Sequence, residues 1–241
     1  MKRHTKLFAT LLLFLCCSVV CSSLFYGVET RLQVLDTDTN ALPTTPVIII
    51  DAGHGGEDGG AVGTNGVLEK ELNLSLSRKL ATLLRTAGFD VVETRTEDKL
   101  LYAPGTKKGH KKQGDLSARL AFTERYPNSV LISIHMNTFP NESCRGVQVW
   151  YSQNNEASAA LATAIQNGVR THLQPDNNRK IKAATSSIYL LRHAQTPAVL
   201  VECGFLSTKS ECEALCSDSY QQSLALVLFA SISQNLSPST C

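Results

Sequence analysis

An apolar run that stops abruptly at polar and glycine residues constrains the fold of this chain most. Residues 47–50 are all valine or isoleucine, and an aspartate, an alanine, a glycine and His54 follow directly. Such a run is typical of a buried strand in a parallel sheet, where sites lie at the carboxyl ends of strands. Two later apolar runs end similarly, one at His135 and the other at Glu202. We therefore predict one site to which three strand ends contribute.

The segment that follows the first strand is rich in glycine. Seven glycines fall between Gly53 and Gly66, both included. Because glycine has no Cβ atom, this loop should allow other groups to approach His54 closely.

Apolar segments of strand type alternate with segments of helical periodicity along the rest of the chain. This alternation predicts an α/β fold, in which a single domain over residues 46–241 contains a twisted, mostly parallel central sheet of about six strands with helices on both faces. We predict strands at 47–50, 89–94, 130–134, 146–151, 188–191 and 198–201, and helices at 70–87, 116–125, 157–172, 209–215 and 220–234.

Composition and missing motifs exclude several classes of function. The net charge of the 241-residue chain is +2, which is too close to neutral to indicate a nucleic-acid partner. The glycine loop matches neither the dinucleotide-binding fingerprint nor the P-loop. The chain also lacks the glycine-flanked serine of the nucleophile elbow found in α/β-hydrolases. These absences argue against nucleotide chemistry and serine hydrolysis.

The amino terminus has the pattern of an export signal. Lys2, Arg3 and Lys6 precede an apolar run at 7–28, which is long enough to span a bilayer. We predict that residues 1–28 are a signal peptide or membrane anchor and that residues 29–45 are a linker. Positive-inside bias then places the domain outside the cytoplasm. A basic segment at 107–112 is either a solvated loop or a contact for an anionic polymer, lipid headgroups or a partner protein.

The residues at the strand ends match the ligand chemistry of zinc. Catalytic zinc takes three protein ligands and keeps one open position, and His54 and His135 suit two of these ligands. A carboxylate near the glycine loop should be the third. Glu69 fits, since it begins the next helix, but spacing alone leaves Glu57, Asp58 and Glu71 as alternatives. Glu202 is suited to act as the general base beside the metal.

Four segments, taken together and in order, resemble the zinc-dependent N-acetylmuramoyl-L-alanine amidases. They are the motifs at 51–56, 68–74, 133–137 and 201–205, whose sequences are DAGHGG, LEKELNL, SIHMN and VECGF. The resemblance extends from about residue 47 to residue 215.

This resemblance implies a role for each matching residue. His54, Glu69 and His135 would bind Zn²⁺, and Glu202 would be the catalytic acid/base. The reaction implied is hydrolysis of the amide that joins N-acetylmuramic acid to L-alanine in peptidoglycan. The choice of Glu69 over its neighbours comes from the resemblance.

Residues 103–107 and 188–191 make the chain similar to the germination-specific amidases of spore-forming bacteria. That similarity implies action on spore-cortex peptidoglycan, where removal of stem peptides allows muramic-δ-lactam to form. It also implies a possible activating lipoprotein partner. Three alternatives remain open at this point: a vegetative cell-wall amidase, a zinc peptidase that cuts within the peptide, and a non-catalytic wall-binding module.

Overall fold

A six-stranded sheet forms the centre of the computed structural model, which describes residues 45–236. The predicted export segment at 1–28 and all but the last residue of the predicted linker lie outside the described residues. No helix within the described range is both long and apolar enough to cross a membrane. In chain order the strands are β1 (Val47–Ala52), β2 (Val91–Glu93), β3 (Ser129–Asn137), β4 (Gln148–Tyr151), β5 (Lys182–Ala183) and β6 (Ala198–Phe205).

The strands lie across the sheet in the order β2-β1-β3-β6-β4-β5. Strand β1 pairs in parallel with β2 and β3, β3 pairs in parallel with β6, and β4 pairs in parallel with β5. Among the described strands, only the β4–β6 pair is antiparallel. The prediction of a mostly parallel sheet of about six strands is confirmed.

Helices cover both faces of this sheet, as the alternating pattern predicted. Alternate residues of β1 point to opposite faces, so Ile48 and Ile50 belong to one apolar cluster and Ile49 to the other. In chain order the helices are α1 (Glu69–Thr86), α2 (Lys111–Glu124), α3 (Ala157–His172), α4 (Tyr189–His193), α5 (Lys209–Cys216) and α6 (Asp218–Leu236). The larger cluster packs against α1, α3, α5 and α6, and the smaller cluster packs against α2 and α4.

Three elements differ from the sequence prediction, and one of them is the two-residue strand β5, which lies in a segment with too few apolar residues to predict a strand. The predicted strand at 188–191 is instead the short helix α4, whose Leu190 and Leu191 pack against the smaller cluster. A short apolar run has the same composition in a buried helix as in a strand, so periodicity could not distinguish them. Helix α2 starts at Lys111 rather than at residue 116. The prediction missed its first turn because that turn is polar and has no apolar periodicity.

The carboxyl ends of three neighbouring strands meet at one edge of the sheet. Parallel pairing aligns Asp51 of β1 with Ser133 of β3, and His135 of β3 with Glu202 of β6. The glycine loop, which contains His54, leaves the sheet at the same edge. Residues from distant parts of the chain are therefore brought within side-chain reach of one another.

Candidate active site

Three side chains converge beyond the ends of β1 and β3. One ligand atom each from His54, Glu69 and His135 lies within 4.8 Å of the other two. Glu69 Oε1 lies 3.0 Å from His135 Nδ1, and Glu69 Oε2 lies 3.2 Å from His54 Nε2. Two imidazoles and one carboxylate around a common point are a ligand set that zinc accepts. The donor chemistry therefore fits a metal ion.

The glycine loop permits this convergence because its glycines lack the Cβ atoms that would collide with the converging side chains. A Cβ atom at Gly60 would lie 2.5 Å from Glu69 Oε2 and 2.8 Å from the His54 ring. Gly60 also has a φ of 68°, a conformation that favours glycine. The prediction that this loop lets groups approach His54 is confirmed at this position. His54 itself has a φ of 61°, which is uncommon for a residue with a side chain.

We expect Gly53→Ala to damage the site more than any other glycine-to-alanine change that leaves φ unstrained. A Cβ atom at Gly53 would lie 2.2 Å from the His135 ring, so that ring would have to move. Displacement of a catalytic group by about 1 Å costs roughly 100-fold in rate, and we expect a loss of that size in kcat/KM. Gly59→Ala is the matched comparison, because its Cβ would make ordinary contacts with Leu68 at 3.5 Å and beyond. Equal activity of the two variants would contradict the proposed position of His135.

Asp58 orients His54 from the side away from Glu69. Its Oδ2 atom lies 2.9 Å from His54 Nδ1, and its Oδ1 atom accepts the backbone N–H of Gly60. Two backbone hydrogen bonds between Gly55 and Asp58 close the turn that places this carboxylate. A histidine that binds metal commonly donates its second N–H to a carboxylate, which fixes its tautomer. Asp58 is therefore not placed as a ligand itself. It lies behind the candidate ligand His54 and orients its ring.

We expect Asp58→Ala to weaken the binding of an added metal ion, with Zn²⁺ as the probe, by about 10- to 100-fold, because His54 would lose the group that orients its ring. A competition titration against a chromophoric chelator would measure this change. Glu57→Ala provides the control, since the neighbouring Glu57 is 55% exposed and pairs with Lys111 on the surface. A similar loss of affinity in both variants would indicate a general charge effect and contradict the orienting role of Asp58.

Glu69 is the carboxylate that the structure brings to the two histidines. It is 3% exposed at the start of α1, and its oxygens also accept the backbone N–H groups of Ala61 and Met136. Burial would raise the pKa of Glu69, but hydrogen bonds from His135 and His54 outweigh this and hold it well below its ordinary value. Glu71, one of the alternatives, is exposed two residues further along the helix.

Glu202 lies beside the cluster without joining it. It is aligned with His135 in the β3–β6 register, and its Oε2 atom is buried with no hydrogen-bond partner among residues 45–236. Burial raises the pKa of Glu202 to about 7, with the nearby Glu69 raising it further and His135 opposing the rise. A carboxyl group with a pKa near 7 can both accept and release a proton at neutral pH.

Two buried arginines that the sequence did not single out hold the backbone after β1. Arg119 donates to the carbonyl oxygens of Ala52 and His54 at 2.8 and 2.7 Å. Arg95 donates to those of Ala52 and Gly53 at 2.9 and 3.0 Å. Three consecutive carbonyls are thus fixed, which stabilises the unusual backbone of His54. Arg95 follows the end of β2, so the strand-end rule could have found it, whereas Arg119 lies within α2 and has no such signal.

The strand-end carboxylate Asp51 lies beneath the site, and its hydrogen bonds go to residues other than the three converging side chains. It is 1% exposed and accepts hydrogen bonds from Thr94, Ser133 and Arg119 at 2.7, 2.6 and 2.6 Å. Burial would raise the pKa of Asp51, but the Arg119 guanidinium and the two hydroxyl groups lower it to about 2. Its charge is therefore fully compensated within the protein, and Asp51 is a structural anion.

Comparison with known proteins connects this geometry to a family. Residues 48–234 match the N-acetylmuramoyl-L-alanine amidase family. The germination-specific N-acetylmuramoyl-L-alanine amidase of Bacillus subtilis strain 168 is 34% identical over 187 residues, which cover 77% of this chain and 78% of that protein. The N-acetylmuramoyl-L-alanine amidase LytC of the same strain is 31% identical over 180 residues, which cover 74% of this chain and 33% of LytC.

A solved structure has the same fold. The CwlD amidase from Clostridioides difficile, determined in complex with the GerS lipoprotein, superposes with a TM-score of 0.76 and 34% identity, covering 79% of this chain and 98% of that one. The resemblance inferred from the four motifs is confirmed, and the chain belongs to the N-acetylmuramoyl-L-alanine amidase family.

Proposed function

We propose that this protein is a Zn²⁺-dependent amidase that hydrolyses the bond between N-acetylmuramic acid and L-alanine in peptidoglycan. The observation that carries the proposal is the convergence of His54, Glu69 and His135 within 4.8 Å, beside the buried Glu202. Three protein ligands and one open position are the usual arrangement of catalytic zinc. Membership of the family supports the choice of amide.

Each residue of the site has a distinct task in this reaction. When bound, the zinc ion supplies Lewis acidity to the substrate carbonyl and the attacking water. Asp58 keeps the His54 ring turned so that Nε2 faces the metal position. Glu202 removes a proton from the attacking water and then donates one to the amine nitrogen of the departing L-alanine. The buried carboxyl of Glu202 has no hydrogen-bond partner for its Oε2 atom among residues 45–236, so this oxygen is free to take part in both transfers.

We also infer a setting for the activity: export through the amino-terminal segment, attachment to the membrane and action on spore-cortex peptidoglycan. The germination-specific amidase of Bacillus subtilis supports the cortex as substrate. The CwlD amidase, solved with the GerS lipoprotein, supports a lipoprotein partner. A vegetative wall amidase is the second candidate, since the chain is also similar to LytC, an amidase whose name specifies no germination role.

The bond that is cut can be identified directly. The purified protein, loaded with Zn²⁺, would be incubated with peptidoglycan, and the new amino termini would be labelled and identified. We expect new L-alanine termini together with intact glycan strands. New termini on other residues would reject the amidase in favour of a peptidase, and the absence of any new terminus would favour a non-catalytic wall-binding module.

The cortex assignment requires a separate experiment in cells. The full chain would be expressed in a spore-forming bacterium that lacks its own germination-specific amidase, with a Glu202→Gln chain as the inactive comparison. We expect the unaltered chain, and not the variant, to restore muramic-δ-lactam in the spore cortex. Cleavage of vegetative wall without restoration of the lactam would favour the second candidate.

A further inference from the structure

A row of polar side chains continues across the sheet beyond the candidate active site. His135 on β3 is aligned with Glu202 on β6, and Glu202 is aligned with Gln148 on β4. Residues directly opposite on neighbouring strands project from the same face of a sheet. Arg179 extends the row, because its Nη1 atom donates to Gln148 Oε1 at 3.0 Å. The guanidinium group thus lies on the same side of the sheet as the catalytic acid.

Arg179 is held in a defined orientation by neutral partners. Its Nε atom donates to the carbonyl oxygen of Arg145 at 2.6 Å, and its guanidinium carbon lies 4.4 Å from the centre of the Phe205 ring. Gln148 is 3% exposed and is fixed in turn, since its amide nitrogen donates to the carbonyl oxygen of Lys180. The orientation of this cation is therefore set before any ligand binds.

The charge of Arg179 is not compensated by an ion pair. Among residues 45–236, no carboxylate oxygen lies within 4.0 Å of its guanidinium, and its Nη2 atom has no hydrogen-bond partner. Glu211 is the acidic group that interacts with it electrostatically, but both oxygens of Glu211 already accept backbone N–H groups, those of Gly146 and Phe205. Arg119, by contrast, pairs with two buried carboxylates.

We propose that Arg179 binds a free carboxylate of the substrate on the peptide side of the bond that is cut. The inference rests on the proposed function. The lactyl carboxyl group of N-acetylmuramic acid is already part of the amide, so the sugar offers no anion and the carboxylate must belong to the stem peptide. An arginine that presents its N–H groups in a fixed plane is suited to bidentate recognition of such a group.

The distance along the row indicates which residue of the stem peptide is bound. Glu202, which donates the proton to the departing nitrogen, lies on β6, one strand spacing of roughly 5 Å from Gln148 on β4, and the guanidinium lies one hydrogen bond of 3.0 Å beyond Gln148. An extended peptide advances about 3.5 Å per residue. A carboxylate on the second residue after the scissile amide can therefore reach Arg179. The substrate class selected is a muropeptide whose second residue carries a free α-carboxylate rather than a carboxamide.

A matched pair of substrates tests this proposal with the full chain. Both are N-acetylmuramoyl-L-alanyl-D-glutamate derivatives capped as the methylamide at the γ-carboxyl, and they differ only in a free α-carboxylate or an α-carboxamide. A hydrogen bond between charged groups is worth roughly a 10- to 100-fold preference in kcat/KM. We expect the preference for the acid to appear mainly in KM, because remote binding is shared by the ground and transition states.

Variants separate recognition from structural support. Arg179→Gln should remove the preference by slowing hydrolysis of the acid alone, and Arg179→Lys should keep part of it. Arg170→Gln is the control, since Arg170 also donates to two carbonyls of this loop, those of Asn177 and Arg179. It should leave the preference intact.

The possible results are distinguishable. Equal cleavage of the two substrates by the unaltered protein would overturn the role of Arg179 and leave the amidase function in place, whereas cleavage of neither would overturn both. An equal loss on both substrates in Arg179→Gln and Arg170→Gln, with a matching fall in Tm, would assign Arg179 a structural role only.

Discussion

Replacing Glu202 with glutamine should reduce hydrolysis of the muramoyl–alanine amide by about 100- to 10,000-fold, the usual contribution of a general acid/base. Glutamine has nearly the same shape but cannot accept a proton from water or release one to the leaving amine. The measurement is kcat for a soluble muropeptide with the protein loaded with Zn²⁺. Metal content should be unchanged, because Glu202 lies outside the group of three candidate ligands. Hydrolysis at the normal rate would assign the proton transfers to another group.

The same variant has a second expected result that shows the fold is retained. Burial raises the pKa of Glu202 in the folded, metal-free protein to about 7, above its ordinary value of 4.5. The contribution of protonated Glu202 to the free energy of unfolding is fully present below pH 4.5 and is lost as the pH rises through 7. Metal-free Glu202→Gln should therefore match the unaltered protein in stability at low pH. It should be more stable at pH 8, by up to about 3 kcal/mol.

Urea unfolding of the two metal-free proteins at pH 4.5 and pH 8 would measure this difference. If the free energies of unfolding of the variant and the unaltered protein differ by the same amount at both pH values, the burial of an ionisable carboxyl at this position is contradicted. A variant that is less stable at both would indicate that its loss of activity comes from damage to the fold.

Replacing Glu69 with alanine should abolish stable zinc binding and, with it, hydrolysis. Loss of a group that merely orients a ligand costs about 10- to 100-fold in metal affinity, so loss of a ligand should exceed this. The carboxylate also bridges both histidines, at 3.2 Å from His54 and 3.0 Å from His135, so its removal leaves the two rings without a common partner. The measurement is the zinc content of the purified protein after dialysis, by elemental analysis.

Glu71→Ala is the matched comparison for this experiment. Glu71 lies on the same helical turn, has the same chemistry and was an alternative ligand by spacing, but it is exposed. The Glu71→Ala variant should bind one zinc ion with unchanged affinity. Retention of zinc by Glu69→Ala, or its loss from Glu71→Ala, would contradict the ligand set. Thermal unfolding of both variants without metal would separate a lost ligand from a lost fold.

The amount of structure that could be predicted depended on how local the signal was. Strand β1 and helix α3 were predicted closely, because a β-branched run and a helical repeat are properties of neighbouring residues. Helix α4 was predicted as a strand, because its few apolar residues fit either state. Its burial of Leu190 and Leu191 is decided by the sheet face that it covers.

The same distinction applies to the candidate site. His54, His135 and Glu202 stood out because each follows an apolar run and can handle a metal or a proton. Asp58 emerged only as one of several alternative ligands and Arg179 not at all, since an acid in a glycine loop and an arginine in a polar segment are most often surface residues. Their contacts with His54 and Gln148 depend on how the loops fold back on the sheet.

The sequence by itself determined the α/β architecture, the three strand ends and the chemistry available there, because apolar periodicity and side-chain type are written residue by residue. Spacing alone did not decide which carboxylate joins the two histidines; the family resemblance selected Glu69, and the tertiary structure brings its carboxylate to both rings. Only the tertiary structure decided which arginine keeps its charge free. The physical reason is that these properties depend on contacts between distant residues, such as Glu69 and His135, which lie 66 positions apart in the chain and 3.0 Å apart in space.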